Sequence, residues 1–300
     1  MNEVVIDGSI AVNQVGEVAT LAEHQRALYY LLCKFDEVCK RLNITYYLFA
    51  GTLLGAVRHK DFIPWDDDLD VLMLRRDYEL FLQEAPALLD LERFYLQKEF
   101  SEHWPMFFSK LRLNNTTCLE KYHPKDPLIH QGVYMDIFPC DTAYRSQLGR
   151  FIQFCCSKAV IAKGLDAEGY VTKSKVKLLV MMVCRFLPRD LFHRLVKGPA
   201  KSTGYVHSFL GGASKFSKSV YPEKCFERTV DLPFESGMFP APAEYDVLLK
   251  ILYGDYMKLP TEAERAQKKH ALLVDLTRSY EEYKDYRDGM EFDTLTRSIR

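Results

Sequence analysis

The spacing of apolar residues predicts a long helix near the start of the chain. Between residues 21 and 42, apolar side chains recur every three or four positions, which is the period of an amphipathic helix. Thr20 and Glu23 match a capping box at its start, and Asn43 suits its C-terminal end. The stretch before this helix, residues 1–16, shows no such period, and we expect it to be loosely ordered.

The segments that follow predict a sheet with helices packed on it. The apolar run 44–50 is typical of a buried strand, and Gly51–Thr52 breaks it before a short predicted helix, TLLGAVRHK. A second strand, LDVLML, precedes a helix in two parts around Pro86. Four further segments have the composition of strands: RFYLQKEF, MFFSKLRL, TTCLEK and GVYMDIFP. This order indicates an α/β or α+β sheet domain.

After Asp141 the pattern becomes mainly helical. The segments SQLGRFIQFCCSKAVIAKG, KSKVKLLVMMVCRFLPRDLFHRLVKG and APAEYDVLLKILYGDYMKLP all predict helices, the last ended by Gly254. The final residues are charged and predict a solvated or frayed helix. We therefore divide the chain into a loosely ordered extension (1–16), a sheet core (17–141), a helical part packed on it (142–270) and a charged tail (271–300).

The composition is that of a globular protein that does not bind nucleic acid. Lys and Arg number 40 and Asp and Glu number 41, so no excess of positive charge favours a polyanionic partner. The N-terminus lacks the features of a secretory signal, and the longest apolar run, 178–184, is too short to span a bilayer. We expect a cytoplasmic protein whose eight cysteines are reduced and buried, with zinc or disulfides as alternatives.

Acidic residues accumulate at the start of the second predicted strand, in the stretch FIPWDDDLDVLML. Asp68 and Asp70 lie two positions apart, so their side chains share one face of a strand while Leu69 and Val71 point into the core. Converging carboxylates repel each other unless a cation lies between them. Mg²⁺ or Mn²⁺ is the natural partner of such oxygen ligands. The alternative is a solvated acidic turn.

Two other features favour phosphoryl chemistry at the same place. Asp136 is a lone carboxylate in the otherwise apolar strand GVYMDIFP, where its burial is costly without a partner. Gly51 and Thr52 lie between a strand and a helix, where a close backbone and free N–H groups can receive a phosphate. A metal held by carboxylates beside a phosphate-binding turn is the arrangement that phosphoryl transfer uses.

The segment YYLFAGTLLGAVRHKDFIPWDDDLDV resembles the signature of the LicD family, the bacterial phosphocholine transferases related to fukutin and fukutin-related protein. The resemblance continues in GVYMDIFPCD and YGDYMKLP and covers residues 20 to 260 approximately. It implies an α+β fold, with a nucleotidyltransferase-like mixed-sheet core at 17–141 and a mainly helical C-terminal part. One departure from the broader nucleotidyltransferase pattern is the gap of 15 residues between Gly51–Thr52 and Asp68.

The resemblance also implies a metal-dependent phosphotransferase reaction. Mg²⁺ or Mn²⁺ is expected on Asp68, Asp70 and Asp136, the last of which can also act as the base. A CDP-activated alcohol such as CDP-choline would donate phosphocholine to a hydroxyl of a cell-surface glycan and release CMP. The acceptor class is lipopolysaccharide or teichoic acid, which can be lipid-linked. The alternatives are a nucleotidyltransferase that acts on a sugar phosphate or small molecule, and a non-catalytic glycan- or nucleotide-binding module.

Cations are expected to meet the donor diphosphate. Arg58 follows the Gly-Thr helix, while Lys110 and Arg112 alternate on one strand and share a face. The alternative for that face is plain solvation. His130 is expected to be structural rather than part of the site, and Trp65 to pack the acidic loop rather than enclose a quaternary ammonium.

Asp66 and Asp67 are interpreted as loop carboxylates that cap the chain or form salt bridges. The basic helices between residues 145 and 200 allow peripheral contact with the inner face of a membrane. Helix packing with an exposed basic face is the interpretation that we favour for them. The sequence does not indicate the oligomeric state.

Overall fold

The computed structural model describes residues 18–120, 126–170, 172, 174–211, 215–262 and 270–283. The predicted N-terminal extension and the last part of the charged tail lie outside these ranges.

The first helix has the predicted bounds and caps. Helix α1 spans Leu21–Leu42. The Glu23 N–H donates to Thr20 Oγ1 at 3.3 Å, and the Thr20 N–H donates to Glu23 Oε2 at 2.8 Å, which confirms the capping box. Asn43 ends the helix in the left-handed conformation at φ +53°. The buried stripe of α1 packs against the sheet core.

The central sheet is mixed, which confirms the predicted α+β class. The first half of the chain supplies six strands: β1 (Tyr47–Leu48), β2 (Asp70–Leu74), β3 (Phe94–Gln97), β4 (Ser109–Leu113), β5 (Thr117–Glu120) and β6 (Tyr134–Thr142). Their order in the sheet is β1-β2-β6-β4-β3, and β5 lies outside this path. Strands β2 and β6 are parallel, while the neighbouring pairs are antiparallel. The four strands predicted after Pro86 are all present.

The chain departs from the predicted pattern at the end of β1. Helix α2 spans Ala50–Arg58, so Gly51 and Thr52 lie in its first turn instead of preceding it. The predicted strand 44–50 shortens to two residues because the chain turns sharply at Ala50, where φ is +45°. A positive φ at a residue other than glycine is strained and is common beside functional sites. Helix α3 (Arg75–Glu84) and a 3₁₀ turn at Pro86 follow β2 as predicted.

The part after residue 142 contains strands as well as helices. Its elements are α4 (Gln147–Glu168), α5 (Lys175–Cys184), α6 (Arg189–Lys197), β7 (Tyr205–His207), β8 (Val220–Pro222), β9 (Thr229–Phe234), β10 (Gly237–Pro242) and α7 (Tyr245–Tyr253). Strand β7 pairs with β6 and thereby joins the central sheet. The β9–β10 hairpin contains Pro233, Pro240 and Pro242, which hide the strand pattern because proline is rare inside sheets.

The start of the predicted tail also belongs to the folded structure. Strand β11 (Ala271–Asp275) pairs antiparallel with β5, so these residues are not a solvated helix. All eight cysteines are free thiols, as expected, and Cys155 is the exposed one. Among the residues that the structure describes, no helix combines the length and hydropathy that a bilayer crossing requires.

Candidate active site

Asp70 and Asp136 face each other near the start of the parallel strands β2 and β6, and Asp68 lies two residues before Asp70. Asp70 and Asp136 are directly opposite each other in the strand register, and the Asp136 N–H donates to the Leu69 carbonyl at 2.9 Å. Asp68 precedes this pair by two residues, while Leu69 and Val71 are buried on the other side. The alternation that the sequence predicts therefore brings the carboxylates together at one edge of the sheet.

The electrostatics of this cluster favour a cation. Burial raises the pKa of Asp70 well above its ordinary value, and the nearby Asp68, Asp136 and Asp66 carboxylates raise it further. Burial also raises the pKa of Asp136, although the Lys110 ammonium opposes this shift. The charged forms of Asp70 and Asp136 are therefore destabilised in the metal-free protein, and a bound cation would stabilise both.

Lys110 is the internal countercharge of the cluster. Its strand position is opposite Asp136, and its Nζ lies 3.1 Å from Asp136 Oδ1 and 3.9 Å from Glu120 Oε2. The ammonium also lies 3.3 Å from the centre of the Tyr134 ring, a cation–π contact. Lys110 is only 3% exposed, so the predicted alternative of a solvated strand face does not hold.

The carboxylates fit a divalent cation by their chemistry. Asp136 Oδ1 is buried and has no hydrogen-bond partner among the described residues, although the Lys110 Nζ lies 3.1 Å away as its ion-pair partner. Mg²⁺ and Mn²⁺ prefer all-oxygen sites, and Asp68, Asp70 and Asp136 offer one. Over the described ranges, no group of three or more His, Cys, Asp or Glu side chains is arranged as a metal site.

The Gly-Thr turn contacts the acidic loop and the second strand. Thr52 Oγ1 accepts a hydrogen bond from the Asp70 N–H at 2.8 Å, so this hydroxyl holds the start of β2. A Cβ on Gly51 would lie 2.7 Å from Asp66 Oδ2, which explains why no side chain fits there. Phe49 occupies the N-cap position of α2, and its side chain makes no hydrogen bond to the first N–H groups of the helix.

The two predicted arginines have other partners. Arg58 Nη1 donates to the Tyr256 carbonyl at 3.0 Å, and its Nε to His59 Nε2 at 2.9 Å. Arg112 shares the Tyr134 ring with Lys110, as expected from their spacing. Its guanidinium donates to Gln97 Oε1 at 2.6 Å and to a backbone carbonyl at 2.8 Å. Lys110 therefore contacts Asp136, whereas Arg112 lies two residues farther along β4 and has other partners.

Asp67 caps the chain and forms a salt bridge, as expected for a loop carboxylate, but its partner His270 escapes sequence reasoning. Asp67 Oδ2 accepts hydrogen bonds from the N–H groups of His270 and Ala271 at 2.8 and 2.9 Å, which anchors the start of β11. Burial opposes the charged form of Asp67, but these bonds outweigh it and lower its pKa. His270 Nδ1 lies 3.0 Å from Asp67 Oδ1 and 3.5 Å from Asp68 Oδ2, and its bond to Asp67 raises its pKa to about 9. No signal local to the sequence connects residues 203 positions apart.

The end of α7 also faces the carboxylates. Burial raises the pKa of Tyr253, and the Asp70, Asp66 and Asp68 carboxylates raise it further. Tyr253 belongs to the segment YGDYMKLP, which supported the family resemblance without an assigned role. Tyr253 therefore lies within electrostatic range of Asp66, Asp68 and Asp70.

His130 and Trp65 have the structural surroundings that we expect for them. The His130 ring stacks on Tyr95 at 4.8 Å, and its Nε2 lies 3.0 Å from Asn114 Oδ1. Burial lowers the pKa of His130 to about 3. Trp65 packs against the main core and meets the His59 ring edge-on at 6.3 Å.

The buried carboxyl group of Glu168 makes stability depend on pH. Glu168, at the end of α4, is 7% exposed, and burial raises its pKa to about 7. The native state therefore holds a proton that the unfolded chain releases near its ordinary pKa of 4.5. This contribution to stability is complete below that value and is lost as the pH rises through about 7.

We expect Glu168→Gln to remove this dependence. We compare the unfolding free energy of the variant with that of wild type at each pH. This difference should shift in favour of the variant by up to about 3 kcal/mol as the pH rises from acidic to mildly basic. Urea denaturation at several pH values measures the difference. Glu227→Gln, which replaces an exposed glutamate, is the control and should follow wild type at every pH. A constant difference between Glu168→Gln and wild type would contradict the prediction.

Comparison with known proteins agrees with the site. A family model described as "LicD/FKTN/FKRP, nucleotidyltransferase domain" matches residues 43–142, a range that includes all three aspartates. The chain is 31% identical over 260 residues to the lipopolysaccharide cholinephosphotransferase LicD of Haemophilus influenzae, over 84% of this chain and 96% of that protein.

Shorter segments match two uncharacterized rickettsial proteins. The Rickettsia typhi protein is 43% identical over 65 residues, which are 22% of this chain and 21% of that protein. The Rickettsia prowazekii protein is 47% identical over 58 residues, which are 19% and 21% of the respective chains. Given the site, the matching family model and the near full-length relative, the chain belongs to the LicD family.

Proposed function

We propose that this protein transfers phosphocholine from CDP-choline to a hydroxyl of a cell-surface glycan and releases CMP. The name of the Haemophilus relative supports the transferred group and the lipopolysaccharide class of acceptor. The observation that carries the proposal is the pairing of Asp70 with Asp136 across parallel strands, with Lys110 as their neighbour. This arrangement suits a reaction whose main demand is the neutralisation of a diphosphate.

Asp68, Asp70 and Asp136 would hold Mg²⁺ or Mn²⁺ in this reaction. The metal would neutralise charge on the donor diphosphate. Lys110 contributes a fixed positive charge on the Asp136 side, held by its contacts with Tyr134 and Glu120. The first turn of α2, which contains Gly51 and Thr52, faces the same loop and offers N–H groups to a phosphate.

Asp136 is our candidate for the proton acceptor. The acceptor hydroxyl oxygen attacks the phosphorus that carries choline, and the bond from this phosphorus to the bridging oxygen breaks. CMP leaves with the bridging oxygen, and the hydroxyl proton passes to a carboxylate of the site. A carboxylate has two oxygens, so Asp136 can serve as a ligand and still accept this proton.

CMP release from a panel of CDP-alcohols, with a lipopolysaccharide or teichoic acid acceptor, tests the proposal. We expect CMP from CDP-choline in Mg²⁺ or Mn²⁺ and none in EDTA. Asp68→Asn should reduce the rate by about 10³-fold, the scale on which loss of a key electrostatic group acts. Asp231→Asn, an exposed carboxylate of the β9–β10 hairpin, should behave as wild type.

Other products would refute the proposal in defined ways. CMP from a different CDP-alcohol would keep the reaction and change the alcohol. Pyrophosphate from CTP, without CMP from any CDP-alcohol, would identify a nucleotidyltransferase. Donor binding without any product in the presence of acceptor would identify a binding module.

A further inference from the structure

Helix α5 turns its apolar side chains toward solvent. Of its ten residues, Met181 and Cys184 are the buried ones. On the opposite side Leu179 is 55% exposed and Val183 55%, and Phe186 just beyond the helix is 83% exposed. A helix packed on a soluble core exposes its polar side, so this arrangement is inverted.

Five of the exposed side chains form one strip along the helix, and Leu178 and Val180 are exposed beside it. The five recur at spacings of three and four residues, which places them above one another on a helix. We call this strip the α5 face: Val176, Leu179, Met182, Val183 and Phe186. Contiguous exposed apolar surface of this kind marks an interaction site.

The orientation of the α5 face is fixed by contacts with α4. Arg185 donates to both carboxylate oxygens of Asp166 at 2.8 Å. Lys163 Nζ donates to the carbonyls of Arg185 and Leu187 at 2.9 and 2.7 Å. Met181 and Cys184 pack against apolar residues of α4 on the inner side. The α5 face is therefore held outward by the fold.

The charges around the α5 face favour an anionic partner. Residues 169–189 contain five Lys and Arg and no Asp or Glu. Arg185 and Arg189 form ion pairs with Asp166 and Asp190, which border this range, so the basic character of the face rests mainly on Lys175 and Lys177 in the first turn of α5. Two copies of the chain that met through this face would bring like charges together. An anionic lipid surface instead complements the cations while apolar side chains enter the headgroup boundary. A ten-residue helix, about 15 Å long, can lie in that boundary but cannot cross a bilayer.

We propose that the α5 face docks this protein on the surface of an anionic lipid bilayer. This replaces the interpretation of helix packing with an exposed basic face, because the exposed face is apolar and its rim is basic. The proposal does not depend on the transfer reaction, since no donor or acceptor takes part in docking.

Vesicle flotation with the full chain tests the proposal. The vesicles consist of phosphatidylcholine alone or of phosphatidylcholine with phosphatidylglycerol. We expect wild type to float with the anionic vesicles. Leu179→Glu/Val183→Glu/Phe186→Glu should weaken this binding roughly tenfold or more. Lys175→Gln/Lys177→Gln should weaken binding to the anionic vesicles by about tenfold or more, since each cation near the surface contributes.

A control with the same change in charge isolates the α5 face. Leu91, Leu128 and Met238 are 59%, 64% and 55% exposed on other parts of the molecule. Their triple replacement by Glu should leave flotation unchanged. Circular dichroism checks that each variant folds, and Phe186→Glu alone replaces the triple variant if that variant does not.

Three results would overturn the proposal. Wild type that stays unbound to anionic vesicles excludes a lipid partner. Equal flotation of wild type and the α5-face variant, Leu179→Glu/Val183→Glu/Phe186→Glu, would show that the protein contacts the membrane through another surface. A dimer seen by light scattering that the α5-face variant dissociates, without vesicle binding by wild type, assigns the face to a second copy of this chain.

Discussion

Asp70→Asn is expected to lower the transfer rate by about 10³-fold while making the metal-free protein more stable. The activity loss follows from the loss of a charged oxygen ligand. The gain in stability follows from the neighbours of Asp70, because its charge is buried among Asp66, Asp68 and Asp136. Removing a buried charge that three like charges oppose should raise the free energy of unfolding by about 1–3 kcal/mol in EDTA.

Bound metal should make wild type more stable than Asp70→Asn, the reverse of the order in EDTA. A cation that binds the native state adds stability to wild type in proportion to its saturation, and Asp70→Asn should gain much less. Urea denaturation in EDTA and in Mg²⁺ or Mn²⁺, beside CMP release, measures both effects. Asp231→Asn again serves as the control on an exposed carboxylate. A variant that is less stable than wild type in EDTA would show that Asp70 has a structural role instead.

Lys110→Met should have the opposite effect on stability. Its ammonium lies 3.1 Å from Asp136 and 3.9 Å from Glu120, and Lys110 is only 3% exposed. Removing one partner of a buried pair leaves uncompensated charge and costs about 3–5 kcal/mol. The transfer rate should fall by about 10²-fold, because one fixed positive charge beside the diphosphate is lost.

Two further variants separate charge from packing. Adding Asp136→Asn to Lys110→Met should recover much of the lost stability, because the orphaned carboxylate is then neutral. Lys250→Met breaks an exposed pair with Asp246 and should leave the stability close to that of wild type. Equal losses in the single Lys110 variant and in the double variant would show that packing around Tyr134, not charge, explains the effect.

The carboxylate cluster could be predicted because its determinants are local. Strand alternation places Asp68 and Asp70 on one face, and an isolated Asp in an apolar strand marks Asp136. The parallel register that joins Asp70 to Asp136 depends on how β2 and β6 pair. The sequence of neither strand specifies that register, so Asp136 was assigned to the site from the cost of burying it without a partner, and the family resemblance supported the assignment.

The remaining parts of the site depend on contacts that sequence patterns do not encode. His270 and Tyr253 reach the aspartates only after the chain has folded back. Thr52 looked like a phosphate ligand, yet its hydroxyl also holds the Asp70 backbone. In the fold, the prolines of β9 and β10 concealed a hairpin, and the apolar side chains of α5 resembled those of a packed helix.

The bond between Asp67 and β11 has a consequence for biosynthesis. The acidic loop leaves the ribosome early, but the N–H groups that satisfy Asp67 belong to His270 and Ala271. Domains form from the N-terminus as the chain is made, so most of the sheet can assemble while this buried carboxylate still lacks partners. Until residue 270 has been translated, the acidic loop of a nascent chain therefore lacks this anchor, and we expect such a chain to lack transfer activity.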